Sequence, residues 1–186
     1  MICSSLNLDA FMSISSPGRW TLPKNGGENG AQVTPYVAGK FLDEHGLEVG
    51  PYKQIIEDLD EWQSSSDVFK LGDYIFENTI TYFVYGSEHV AICLKIDLDV
   101  GEPDNAEPAL AKFVETGALL YEKALDSEMP NNLRKAMIAG KPFKSSAEGK
   151  EILVTRKDWS IDNSYTLKLS IRNPEAARSS IFYFDD

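Results

Sequence analysis

With 186 residues, 42% of them hydrophobic and 11% aromatic, the chain is long enough to bury a substantial core without disulfides or a structural metal, and its composition excludes a disordered polypeptide. A net charge of −11 works against binding to phosphate backbones or anionic membranes. The cysteines, Cys3 and Cys93, are far apart in sequence, and Cys93 stands in an apolar run that suits a buried thiol in a reducing compartment.

The first residues, MICSSLNLDAFMSISS, carry Asp9, have no basic residue before Arg19 and lack an apolar run long enough for an export signal. No stretch approaches the ~18 consecutive apolar residues that a membrane-spanning helix needs, so a cytoplasmic location is expected. Met12 is an alternative start to Met1. Between Ser13 and Gln32 the chain is rich in Ser, Pro, Gly and Asn, with turn signals at Pro17-Gly18 and Asn25-Gly26-Gly27. Residues 1–33 therefore read as an irregular arm, and residues 34–186 as one α+β domain.

Thr34-Pro35 places a capping hydroxyl and a proline at the start of a first helix, with Tyr36, Val37, Phe41 and Leu42 as its stripe and Gly46 as its stop. The spacing of Tyr52, Ile55, Ile56, Leu59 and Trp62 predicts a second helix from Pro51, ended by Ser64-Ser65-Ser66. The pattern then changes to period two. Ile80, Tyr82 and Val84 alternate with Thr79, Thr81 and Phe83, and after a turn at Gly86-Ser87 the run Val90 to Leu98 alternates likewise, predicting a β-hairpin.

Leu110, Phe113, Val114, Gly117, Leu120, Tyr121, Ala124 and Leu125 form an amphipathic stripe that predicts a long third helix, with Phe113, Gly117 and Tyr121 toward the sheet. Asn131 to Ala139 reads as a shorter helix ended by Gly140 and Pro142, and the Lys, Ser and Gly residues from Ser145 to Lys150 as a loop. Ile152 and Val154 suggest a strand, paired through a turn at Asp162-Asn163 with the alternating run Tyr165 to Ile171. Ile181 to Phe184 would add a last strand. The resulting order, ααββααβββ, lacks the strand-helix alternation of parallel folds, so the expectation is α+β: an antiparallel sheet of about five strands with helices packed mainly on one face.

The search for chemistry is mostly negative. Neither His45 nor His89 has a second histidine at a metal-ligand interval, so no zinc site is expected. His89 and Cys93 are four residues apart near or within one strand, roughly 13 Å, which excludes a dyad there. Gly26-Gly27-Glu28-Asn29-Gly30 follows no strand and lacks a phosphate-loop lysine, and Pro142 spoils Gly140-Lys141 as a nucleotide motif. No cofactor is implied.

Acidic residues are the outstanding feature. Residues 43–77 hold ten acids against Lys53 and Lys70, residues 88–128 hold ten against Lys95, Lys112 and Lys123, and residues 129–184 reverse the balance with ten bases against five acids. Glu57, Asp58, Asp60 and Glu61 fall on the expected second helix, and Asp97, Asp99, Glu102 and Asp104 at the exit of the first hairpin. Solvated surface is the plain reading of both clusters. The second cluster has the oxygen ligands for Mg²⁺ or Ca²⁺, but Val100-Gly101 and Pro108 break the helix-loop-helix calcium pattern. The functional reading is a surface kept negative for a basic protein partner, with Trp62 and Tyr52 as candidate aromatic anchors.

Three function classes follow. The first is a small acidic protein that neutralises or escorts another protein, immunity-protein-like, with an effector chaperone as its variant. The second is an enzyme with a dispersed site built from the carboxylates near Asp97 and the aromatics Tyr82, Tyr85 and Trp62. The third is a module of a larger assembly, paired through a C-terminal strand.

Overall fold

The computed structural model describes residues 33–56, 59–72, 77–160 and 163–174. Its framework is one antiparallel sheet of eight strands: β1 (Lys53–Ile56), β2 (Glu61–Ser65), β3 (Phe69–Leu71), β4 (Asn78–Gly86), β5 (Ala91–Val100), β6 (Phe143–Ala147), β7 (Lys150–Asp158) and β8 (Tyr165–Arg172). The spatial order is β1-β2-β4-β5-β8-β7-β6, with β3 also paired to β4. Three α-helices occur among the described residues, α1 (Pro35–Gly39), α2 (Ala106–Leu125) and α3 (Asn131–Ile138). The α+β class and the antiparallel sheet stand as expected, whereas the strand count and the order ααββααβββ do not.

The sheet's centre follows from alternation. Register places Ile80, Tyr82 and Val84 of β4 opposite Leu98, Ile96 and Leu94 of β5, which in turn face Leu167, Leu169 and Ile171 of β8. Because side chains on a strand alternate in direction, these nine residues share one face. All nine are fully buried. α1 and α2 lie against that face: the Tyr82 hydroxyl donates to the Ala38 carbonyl at 2.9 Å, and a methyl on Gly117 would come within 2.9 Å of Leu169. Phe113 is fully buried and Tyr121 nearly so, as the stripe predicted. α3 packs on α2, with Met137 over Gly117.

The expected second helix is instead the β1-β2 hairpin. Its apparent stripe has another origin. Tyr52 and Trp62 meet as stacked rings with centroids 5.9 Å apart, while Ile55, Ile56 and Leu59 face solvent. The edge of β4 offers β2 a full ladder from Trp62 to Ser65, and that tertiary pairing outweighs a helical period carried by only five residues. Three residues, Ser66 to Val68, then oppose only Thr81 and Tyr82, a bulge that separates β2 from β3. Ser66 bridges it, its hydroxyl accepting from the Tyr82 amide at 3.0 Å.

β6 occupies the segment read as a loop. It is an edge strand whose half-buried Phe143, Ser145 and Ala147 alternate with exposed Lys144 and Ser146, so its pattern is visible but weakly apolar. Glu148 and Gly149, with φ of 51° and 73°, make the two-residue turn into β7. The first helix is shorter than expected. α1 ends at Gly39, a 3-10 turn follows at Asp43–His45, and Gly46 at φ 77° terminates it. Thr34 does cap α1, accepting from the Val37 amide at 3.3 Å. The expected last strand at Ile181–Phe184, and the N-terminal arm apart from Val33, lie outside the described residues.

Candidate functional site

A cleft of about 720 Å³ opens between α1 and the Glu48–Tyr52 segment, at the end of the sheet where β2 pairs with β4. One wall is Tyr36, Lys40 and Asp43, the other Glu48 to Tyr52, and Ser64 of β2 lies between them. Glu88 and His89, from the turn joining β4 to β5, complete the lining. A volume of this size falls in the range of pockets that hold small molecules or side-chain clusters, roughly 300–1,000 Å³.

The walls are set by local chemistry. Gly39 allows Val49 to approach closely, and the Val49-Gly50 segment is tied beside β2 by a bridge to Ser66 and by the Gly50 amide donating to the Ser65 carbonyl at 2.9 Å. Ser64 stands opposite Val84, so it projects on the same face of the sheet as α1. The turn carrying Glu88 is pinned from two sides. The Tyr52 hydroxyl donates to the Ser87 carbonyl at 3.0 Å, and Asp60 Oδ1 accepts from the Glu88 amide at 3.1 Å and from Trp62 Nε1 at 2.9 Å. Burial, helped by the negative charge of Asp60, pushes the Tyr52 phenol well above its ordinary range, keeping it a donor.

Asp43 and Ser64 line the cleft, and one polar atom of each, Asp43 Oδ1 and Ser64 Oγ, is closed to solvent and has no hydrogen-bond partner among the described residues. Ser64 as a whole is only 4% exposed. A buried polar atom left unmatched costs about 1–3 kcal/mol. The rim is acidic. Asp43, Glu48 and Glu88 stand against Lys40, whose ammonium donates to the Tyr36 hydroxyl at 2.6 Å; that bond, opposed by desolvation and then aided by the charges of Tyr36 and Asp43, holds its pKa up.

The residues singled out in the sequence are divided by the fold. Glu57 and Asp58 lie outside the described residues. Asp60, Glu61 and Trp62 sit on the β1-β2 hairpin rather than on a helix, with Glu61 only 8% exposed and Trp62 joined to the cleft through its stack on Tyr52. Asp97 and Asp99 occupy the face of the sheet turned away from the helices. Asp97 Oδ2 pairs with Lys95 Nζ at 3.0 Å, and Asp99 Oδ1 accepts from Thr166 Oγ1 at 2.6 Å. Glu102 is bound through its backbone to Asn78, and Asp104 is exposed in the 3-10 turn Pro103–Asn105. Trp62 aligns with the start of β5 and Asp99 lies eight residues along it, some ~26 Å at the rise of an extended strand, so the two acidic clusters do not form one surface.

Among the described residues no three His, Cys, Asp or Glu side chains converge in a metal-holding group, the Asp97 to Asp104 cluster included. Cys93 is 1% exposed, and burial pushes its thiol up to about 12, leaving it protonated and a poor nucleophile at neutral pH. His45 lies 3.2 Å from Glu115 of α2. No helix among the described residues is long and apolar enough to cross a membrane. Comparison of the chain with protein-family models, with curated proteins and with solved structures finds no match.

Sequence reading missed Tyr36, Asp43, Ser64 and Glu88. Its spacing places Tyr36 on the stripe of the first helix, yet it is 71% exposed. The available signal was its place one residue past a capped Thr34-Pro35 start, with Lys40 four residues on.

Proposed function

We propose that this chain is a binding protein that neutralises or escorts a basic protein, in the manner of the immunity proteins made alongside toxins, and that the α1 cleft and its rim are the contact region. One observation carries the reading: the cleft is rimmed by Asp43, Glu48 and Glu88, and its wall residue Tyr52 is stacked on Trp62. Among the described lining residues three carboxylates, Asp43, Glu48 and Glu88, stand against one lysine, Lys40, a negative balance that a basic partner complements. Asp60, held to the amide of Glu88, extends the negative rim toward the stacked Tyr52 and Trp62. Aromatic anchors beside an acidic rim suit an interface in which charge governs encounter and buried rings hold the complex.

The acids at Asp97 and Asp99 support the reading less than Glu48 and Glu88 do. Asp97 Oδ2 pairs with Lys95 and Asp99 Oδ1 accepts from Thr166, while Asp97 Oδ1 is closed to solvent without a partner among the described residues, so these acids belong to the sheet's second face. The test is affinity capture from the native host with the wild type and with the double reversal Glu48→Lys/Glu88→Lys. The expected result is a basic protein retained by the wild type, weakened by salt and lost with the reversed rim. Equal capture by both proteins would place the contact elsewhere.

A further inference from the structure

We infer that the groove between α2 and α3 is the contact face of a two-fold symmetric dimer of this chain. The groove has a volume of about 690 Å³ and shares no lining residue with the α1 cleft, so it is independent of the function proposed for that cleft. Its α2 wall is one line of residues at helical spacing, Leu110, Ala111, Val114 and Ala118, with Glu107 in the first turn. Its α3 wall is Arg134 and Ile138, four residues apart and therefore on one face, beside the buried Leu133 and Met137. Ile138 is 57% exposed, a large apolar side chain left on the surface of the groove.

Charge points to what covers this groove. Among the described residues the Glu107 carboxylate and the Arg134 guanidinium make no hydrogen bond or ion pair, whereas Glu115, the other lining acid, is engaged with His45 and Lys112. The two uncommitted charges stand at opposite ends. A short link joins Leu125 to Asn131 and Met137 lies over Gly117, so α3 runs back along α2, and Arg134 sits nearer the C-terminal end of α2 than Met137 does. Glu107 lies ~15 Å from Gly117 in the other direction, at 1.5 Å per helical residue. A two-fold axis across the groove near Val114 exchanges its ends and sets each Glu107 toward Arg134 of the second copy. Every contact of such an interface occurs twice. Ala111 and Ala118 let the two α2 helices approach, while Leu110, Val114 and Ile138 supply the apolar surface they bury. A partner of a single charge sign would be repelled at one end of the groove, and an apolar ligand would leave both charges unused.

The test is sedimentation velocity of the intact chain over a range of concentration up to near-millimolar, since one groove of this size fits a weak, concentration-dependent dimer. The wild type is expected to dimerise, and Ile138→Asp, at an exposed position that leaves the circular dichroism spectrum unchanged, to stay monomeric. Glu107→Lys and Arg134→Glu should each weaken self-association by about tenfold or more, because each sets like charges against one another twice. Mixed in equal amounts, the two variants should recover the association of the wild type, since the mixed pair has opposite charges at both ends. A wild type that is monomeric throughout overturns the inference. So does a dimer that survives Ile138→Asp, which places the contact on another face, and so does a mixture that associates no better than either variant alone.

Discussion

Gly39 and Val49 are in such close apposition that a methyl group on Gly39 would come within 2.6 Å of Val49 Cγ2. This contact sets the distance between the two walls of the cleft, since Gly39 ends α1 and Val49 belongs to the segment bridged to Ser66 beside β2. Gly39→Ala is therefore expected to destabilise the protein by about 1–3 kcal/mol through overcrowding, against a helix-propensity gain of at most ~1 kcal/mol. Adding Val49→Ala should recover part of the loss. A thermal or chemical denaturation cycle over the four proteins reads the coupling, expected at about 0.5 kcal/mol or more and favourable to the double variant.

Asp60 links the hairpin tip to the β4-β5 turn by accepting from both Trp62 Nε1 and the Glu88 amide. Asp60→Ala should accelerate hydrogen exchange at Glu88, while Asp60→Asn, which keeps a carbonyl acceptor, should preserve most of the protection. Similar exchange in all three proteins would show that Tyr52, through Ser87, holds the turn by itself.

Phe113 sits fully buried in the middle of α2. Its replacement by alanine should cost about 3–5 kcal/mol, measured by urea denaturation with an unchanged m-value. A loss near ~0.5 kcal/mol, typical of surface substitutions, would contradict the packing of α2 on the sheet.

Glu151 of β7 accepts from Lys144 and from Arg172, whose Nε lies 2.7 Å away; the Lys144 bond, opposed by burial and reinforced by Arg172, holds its carboxyl below the ordinary value of about 4.5. A depressed carboxylate pKa contributes stability that is present above the ordinary value and is lost as pH falls through the lower folded value. The stability difference between wild type and Glu151→Gln should therefore be constant near neutrality and shrink as pH drops below about 4.5. A difference that grew on acidification would reverse the sign of the shift.

The legible parts of this chain are those where one element's own residues carry the pattern. β4 and β5 alternate because one face meets the helices, β8 alternates in polarity although both of its faces are buried, and α2 shows its stripe because a single face is buried from Ala109 to Leu125. The β1-β2 hairpin was hidden because Tyr52 and Trp62, ten residues apart, satisfy a helical period as well as they satisfy a cross-hairpin stack. β6 was hidden because an edge strand with Lys and Ser on it resembles a polar loop. The cleft was not legible at all. Asp43, Ser64 and Glu88 belong to three segments that meet only through the pairing of β2 with β4 and the closure of α1 over Tyr82, and no local spacing encodes that.

The most direct test of the cleft as a site for a basic partner is the association rate constant with the captured protein, measured by stopped flow across a range of ionic strength. The wild type should associate fast at low salt and slow steeply as salt rises, because attraction between the acidic rim and a basic surface is screened over ~10 Å at 0.1 M. Glu48→Lys/Glu88→Lys should slow association by about tenfold or more at low salt and flatten the salt dependence, whereas Asp97→Lys should change the rate far less. A wild-type rate indifferent to salt, or an undiminished rate after reversal of Glu48 and Glu88, would contradict the account.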